Sequence, residues 1–224
     1  MRRIITTLKV IVFVLFAGLL HYVLPQHDIA RVTSTEVIRT DFNWLNKIFY
    51  AQADSGASQL VTRDLRLINT EKQKTWLLGF LPRDSTRVMV YRNEDTGWIW
   101  PPYFKFDSSD LQAQAAANIS PAKDQWVVIT HYGWRNKYLS IYPNAIGIRP
   151  IEGPNVTVIP WFNIGFFLFL LIAWAFLRAA WRQFRERTID PALKDAGEKW
   201  DSVEGNMAER RGRFSRWLDT WKKK

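Results

Sequence analysis

The chain has 224 residues, a net charge of +10 and no cysteine. That length allows one or two small domains, and the missing thiols exclude a disulfide framework, a thiolate metal site and a cysteine nucleophile. The apolar content of 47% is ordinary as an average, but it hides two dense apolar blocks around which the rest of the sequence is organised.

The first block, residues 8–24, reads LKVIVFVLFAGLLHYVL, with Arg2 and Arg3 before it and Lys9 at its edge. Counting Ile4 and Ile5, it reaches about the twenty residues that a bilayer core demands at ~1.5 Å each. Lys9 can snorkel its ammonium to the headgroups. A secretory signal peptide shares the basic start and apolar core. No small-x-small cleavage site follows, however, since the exit reads Leu20, His21, Tyr22, Val23, Leu24, Pro25. Residues 1–25 are therefore expected to be an uncleaved transmembrane signal anchor.

Residues 26–157 are long enough for one compact domain, and their pattern is mostly β. Strands are expected over 30–40, 64–71, 86–95, 125–132, 136–143, 144–151 and 156–159, with turn signals at Gly133 and at Pro143-Asn144. Residues 41–59 crowd Phe42, Trp44, Leu45, Ile48, Phe49 and Tyr50 together; they read as a core-packing loop, a lid or a stretch lying on the membrane. One helix is expected near 111–118, capped by Asp107, Ser108 or Ser109. The domain is thus read as mainly antiparallel β, a small barrel or a sandwich, with one short helix.

The most distinctive run spans residues 91–115. Glu94, Asp95, Thr96 and Gly97 read as a hairpin turn; Trp98, Trp100, Tyr103, Phe104 and Phe106 follow, split by Pro101-Pro102, which forces an extended passage. Such aromatics either fill a core or present a surface, and Arg92, Glu94, Asp95, Trp98, Trp100, Tyr103 and Phe104 form the candidate interaction surface. The run RNEDTGWIWPPYFKFDSSDLQAQA resembles the signature of a bacterial membrane protein family, domain-of-unknown-function family 1523. The resemblance extends from the first apolar block through the second. It implies an envelope protein with two spans and assigns no activity, substrate or cofactor to any residue.

The second span is expected over residues 158–178; its apolar block, residues 158–177, reads VIPWFNIGFFLFLLIAWAFL without a charge, and few buried helices of soluble proteins run this long without a polar face. Arg178, Arg182, Arg185 and Arg187 follow it at once. Both blocks have basic flanks, whereas residues 25–158 are nearly neutral. Both termini are therefore expected in the cytoplasm of a bacterial inner membrane, with the middle domain in the periplasm. Residues 179–224 form a basic tail, expected to be helical on either side of a break at Pro191. Met207, Phe214, Trp217, Leu218 and Trp221 fall at helical spacing with Arg210 and Arg213 beside them, a pattern suited to anionic lipid or to a packed protein partner.

The inventory of chemistry is short. His21, His27 and His131 show no metal-ligand spacing, and the sequence has neither a G-x-S-x-G elbow nor a phosphate-cradling glycine loop. Glu94, Asp95, Asp107 and Asp110 match no cation-binding loop. No catalytic residue, metal or cofactor is assigned. Nucleic acid is disfavoured, because the positive charge sits in the membrane flanks. The sequence reads as a non-enzymatic envelope protein. Its middle domain is an interaction or structural module for a periplasmic or membrane protein partner, and its partner at the cytoplasmic face is the phospholipid bilayer. The alternative is a small-molecule or cation sensor, or a membrane-associated enzyme, using a groove near residues 94–106.

The tail generates a direct test. A peptide of residues 206–224 should be disordered in water and helical on anionic vesicles. Its tryptophan emission should shift to the blue on binding, the binding should weaken with salt, and Trp217→Ala with Trp221→Ala should weaken it further. Absence of the shift with anionic vesicles would move the tail to the protein-partner reading.

Overall fold

The computed structural model describes residues 2–41, 49–50, 62–76, 81–96, 101, 103–122 and 124–222, with backbone alone at 2, 62, 63, 76, 81, 82, 84, 204–206, 208–210 and 214–222. Two long apolar helices flank a mixed β-sheet domain, and the chain divides into two units, Met1–Asn163 and Ile164–Lys224.

The first unit opens with helix α1, Arg2–Val23, whose apolar side chains, among them Val12, Phe13 and Leu15, are exposed along its length. The helix stops at Pro25, which cannot supply the next backbone donor. Strand β1, Gln26–Asp41, begins at once. Asp28, Ala30 and Val32 alternate inward along β1. Its first residues pair antiparallel with β4, Trp126–Tyr132, and its remainder with β2, Thr62–Trp76. A register shift between Val32 and Ser34 bends the strand between these two roles. Strand β3, Leu81–Arg92, pairs with β2, and β5, Asn144–Ile151, pairs with β4, both antiparallel. The third and fifth strands meet in one parallel pair, Arg92 with Asn144. The order is β1-β2-β3-β5-β4, and β4 returns to β1, so the sheet closes on itself.

Helix α2, Ser108–Ala117, lies between β3 and β4. Asp107 caps it by accepting the Ser109 N–H at 2.8 Å. The helix buries Leu111 and Ala115 against Ala30, Val32, Ile68, Met89, Tyr91, Val127 and Ile129. A second cluster groups Tyr50 with Leu65 and Leu67.

The structure departs from the sequence expectations in the loops between and after the strands. Residues 136–143 are a looped finger with one bridge, Asn136 to Ile141, because the Asn136 side chain accepts the N–H groups of Tyr138 and Leu139 and closes the turn locally. Residues 156–159 make no strand pairing, bracketed as they are by Pro154 and Pro160. Of the expected turn at residues 94–97, Gly97 lies outside the described residues; the Asn144 side chain binds both the N–H and the C=O of Glu94, and the Thr96 N–H donates to Lys105 O. The sheet is mainly antiparallel, as expected, with one short parallel contact between β3 and β5. Of the crowded aromatics, Phe49 and Tyr50 pack with the second cluster, while Phe42, Trp44, Leu45 and Ile48 lie outside the described residues.

Helix α3, Trp161–Phe184, leads into a wider π turn, Arg185–Ile189, and then α4, Asp190–Lys222. Pro191 does not interrupt the helix as its sequence suggests. It falls in the first turn of α4, directly after the π turn, where a missing N–H is tolerated. Arg3–Val23 and Trp161–Val203 are each long and apolar enough to cross a membrane.

The strand pairings and both clusters lie within residues 26–157. Expressed alone, this segment should give a far-ultraviolet circular dichroism spectrum dominated by β structure. A random-coil spectrum would show that the end of α1 is required for folding.

Candidate functional site

The interior of the sheet holds a charged group that four strands share. Asp28 of β1 is buried. Its Oδ2 accepts the Tyr91 hydroxyl of β3 at 2.6 Å and lies 2.9 Å from His131 Nε2 of β4. Its Oδ1 is ion-paired with the Lys72 ammonium of β2. Burial works to raise the Asp28 pKa, but the His131 imidazole and the Lys72 ammonium overcome it and hold the carboxyl well below the usual range. A deprotonated carboxylate only accepts, so His131 Nε2 carries the hydrogen. Tyr91 is pushed the other way, first by burial and then by the adjacent Asp28 charge; it stays a donor. His131 Nδ1 has no hydrogen-bonding partner among the described residues. A carboxylate this far acidic and engaged by three side chains has little basicity left for proton abstraction.

A second buried polar group marks the seam where β3 meets β5. Arg92 is 1% exposed. It lies over the Tyr50 ring at 4.7 Å, stands 3.5 Å from Glu94 and donates to the Phe49 carbonyl, and its charge acts on the Tyr22 hydroxyl of α1. The surrounding backbone is tied in as well: Arg92 N–H to Pro143 O at 2.9 Å and Asn93 N–H to Arg66 O at 2.8 Å. Lys105 reaches into the same knot and donates to Asn93 Oδ1 and to Ala145 O. Burial lowers its pKa to about 8, against the opposing pull of Asp95 and Glu94.

This seam is also where the domain grips α1. Gly133 N–H donates to Tyr22 O at 2.8 Å, Tyr103 O–H donates to Val23 O, and Tyr103 stacks on Tyr132 with centroids 4.8 Å apart. Gly133 has φ +92, which a residue with a Cβ would hold only under strain; it lets the backbone turn against the Tyr22 ring. A profile of the family described as protein of unknown function (DUF1523) matches residues 1–185, a span that takes in α1, the whole β domain, this seam and α3.

The chain belongs to the DUF1523 family. It is also 36% identical over 175 residues to an uncharacterised protein of Haemophilus influenzae, covering 75% of this chain and 90% of that one. No solved structure matches it. The matched family region ends where the π turn begins, so α4 lies beyond it.

Within the DUF1523 region, the sequence-predicted surface is only partly a surface. Arg92 is the clear correction: its burial and its contacts with Phe49, Tyr50 and Glu94 make it internal. Glu94 and Asp95 are half-buried, Tyr103 is half-buried against Tyr132, and Phe104 is exposed with φ +53. Trp98 and Trp100 lie outside the described residues. In the tail, Met207, Arg213 and Arg211 are exposed on α4, whereas the side chains of Arg210, Phe214, Trp217, Leu218 and Trp221 lie outside the description. The candidate cation ligands do not converge, as Asp107 caps α2 and Glu94 faces Arg92. Among the described residues no group of three or more His, Asp or Glu is placed to hold a metal ion. Sequence reading missed Asp28, Lys72 and Tyr91 entirely; an acid spaced two residues from buried Ala30 on a β pattern was the available signal.

Asp28→Asn should leave the Lys72 ammonium, 12% exposed, buried without its counter-charge, and destabilise the domain by about 3 kcal/mol. The pH dependence fixes the sign. A depressed carboxyl contributes stability above its unfolded value near ~4 and loses it as pH falls toward the folded value. The gap between wild type and Asp28→Asn in denaturant unfolding should therefore be full at neutral pH and narrow below about pH 4. Equal unfolding midpoints at neutral pH would refute the role given to Asp28.

Proposed function

We propose that this protein is a two-pass protein of a bacterial inner membrane. It carries a small β-barrel in the periplasm as a non-enzymatic interaction or structural module, and its basic tail lies on the cytoplasmic leaflet. The observation that carries this reading is the seam at Arg92, Tyr22 and Tyr103. Tyr103 of the family motif, together with Gly133, ties the β domain to the end of an apolar helix, and Arg92 lies buried beside that joint. Arg178, Arg182, Arg185 and Arg187 after the second apolar helix support cytoplasmic termini. The return of β4 to β1 supports the barrel. Its strand order, with a helix between the third and fourth strands and a parallel third-to-fifth contact, is the connectivity of an oligonucleotide- and oligosaccharide-binding barrel, although connectivity by itself assigns no ligand. The engagement of Asp28 by Tyr91, His131 and Lys72 supports a module over an enzyme, because the carboxylate is taken up by internal donors.

Two measurements test the proposal. Alkaline phosphatase fused after Asn155 should be active and fused after Lys224 inactive; activity after Lys224 would overturn the topology. Full-length protein cross-linked in cells and purified in mild detergent should enrich a protein that a variant lacking residues 26–157 does not. Identical captures would sink the module reading.

A further inference from the structure

The finger between β4 and β5 is anchored at Ser140, whose carbonyl accepts the Tyr50 hydroxyl, and at Tyr142, which packs on the second cluster, but its Tyr138–Leu139 tip is left unused by the seam and the sheet. It is a built structure. Asn136 and Ile141 exchange backbone hydrogen bonds at 3.0 and 2.9 Å, and the Asn136 side chain holds the N–H groups of Tyr138 and Leu139. Arg135 lies over the Tyr142 ring at 4.2 Å and donates to the carbonyls of Asn136 and Ile141. This bracing holds out side chains that favour burial: Tyr138 is 99% exposed and Leu139 is 37% exposed. A flexible loop would turn such groups inward, whereas this one has its backbone tied.

The root of the finger fixes where it stands. Trp134 lies beside α1, its ring 4.0 Å from the position a Cβ on Gly18 would take. It donates its ring N–H to His21 Nδ1 at 2.9 Å and packs edge-on to Tyr22 at 5.3 Å. Gly18 is five residues from the end of α1, about 7.5 Å along the helix axis. The finger therefore springs from the level at which an apolar helix leaves hydrocarbon for headgroups. Trp, Tyr and a basic residue, here Trp134, Tyr138 and exposed Lys137, are the side chains that settle at that level. Lys137 at the tip complements an anionic headgroup.

We propose that the 134–142 finger is a second membrane contact, resting its Tyr138–Leu139 tip in the lipid interface of the leaflet where α1 ends. The inference rests on the reading of α1 as a span. It gives the domain two points of attachment on one surface, the α1 seam and the finger tip, and so fixes which face of the sheet is turned to the bilayer.

The chain has no cysteine, so single-cysteine variants of the full-length protein each carry one spin label. Tyr138→Cys replaces a side chain with almost no contacts, and Leu139→Cys provides a second tip position. Val12→Cys on α1 marks lipid, and Val88→Cys, 75% exposed on β3, marks water. In vesicles of phosphatidylethanolamine and phosphatidylglycerol, the ratio of oxygen to nickel-chelate accessibility at both tip labels should lie several-fold above that at Val88→Cys and approach that at Val12→Cys. Tip labels that behave like Val88→Cys while Val12→Cys reads as lipid overturn the finger and leave the span intact. Tip labels shielded from both reagents replace lipid with a protein occupant and also overturn it. A Val12→Cys label that reads as water brings down the span and the finger together.

Discussion

A single buried carboxylate determines how the sheet is held. Taking Asp28 out of water is costly unless donors replace the lost hydration, and those donors come from three other strands: Lys72, Tyr91 and His131. The cluster thus specifies register. A shift of β1 by one residue would turn Asp28 outward and bring a neighbour into the core in its place. An apolar residue at this position would fill the interior as well but would discriminate less between registers. The helix that covers the core and the short parallel contact that closes the sheet both presuppose the alignment this cluster sets.

The Arg92 seam does the corresponding work between the sheet and α1. A guanidinium buried among Tyr22, Tyr50 and Glu94 fixes three segments that are distant in sequence. Because Arg92 is also the residue at which β3 meets β5, the closure of the sheet and the attachment of the helix are one event. Loosening the helix perturbs the parallel pair by which β3 meets β5.

The apolar helices were legible because length and the absence of charge are local properties of a sequence. So were the Asp107 cap and the strands that became β1 to β5, since a two-residue alternation and a capping side chain act within a few residues. The finger was misread because Asn136 overrides the β propensity of the residues around Tyr138 through a local hydrogen bond. The misreading of Arg92 has a different cause. Beside Glu94 and Asp95 it looks like an exposed turn, and segments some forty to fifty positions away in sequence, at Phe49-Tyr50 and Pro143, make it internal. The Asp28 cluster was invisible for the same reason. His131 stood alone on its strand, and its partner lies 103 positions away. Periodicity shows which face of a strand is inward; it does not show which distant strand supplies the donor.

Synthesis order gives β1 an unusual history. Of the described strands it comes first in the chain, yet one of its neighbours, β4, comes next to last. A strand with unpaired edges is a template for pairing with other chains, and chains made from the N-terminus expose such edges until their partners arrive. Asp28 bears on this interval. An inward-facing charge near the start of β1 makes a stray pairing expensive, because no foreign strand brings an ammonium, an imidazole and a phenol to the same spot. The group that stabilises the finished sheet therefore also protects the unfinished one against aggregation.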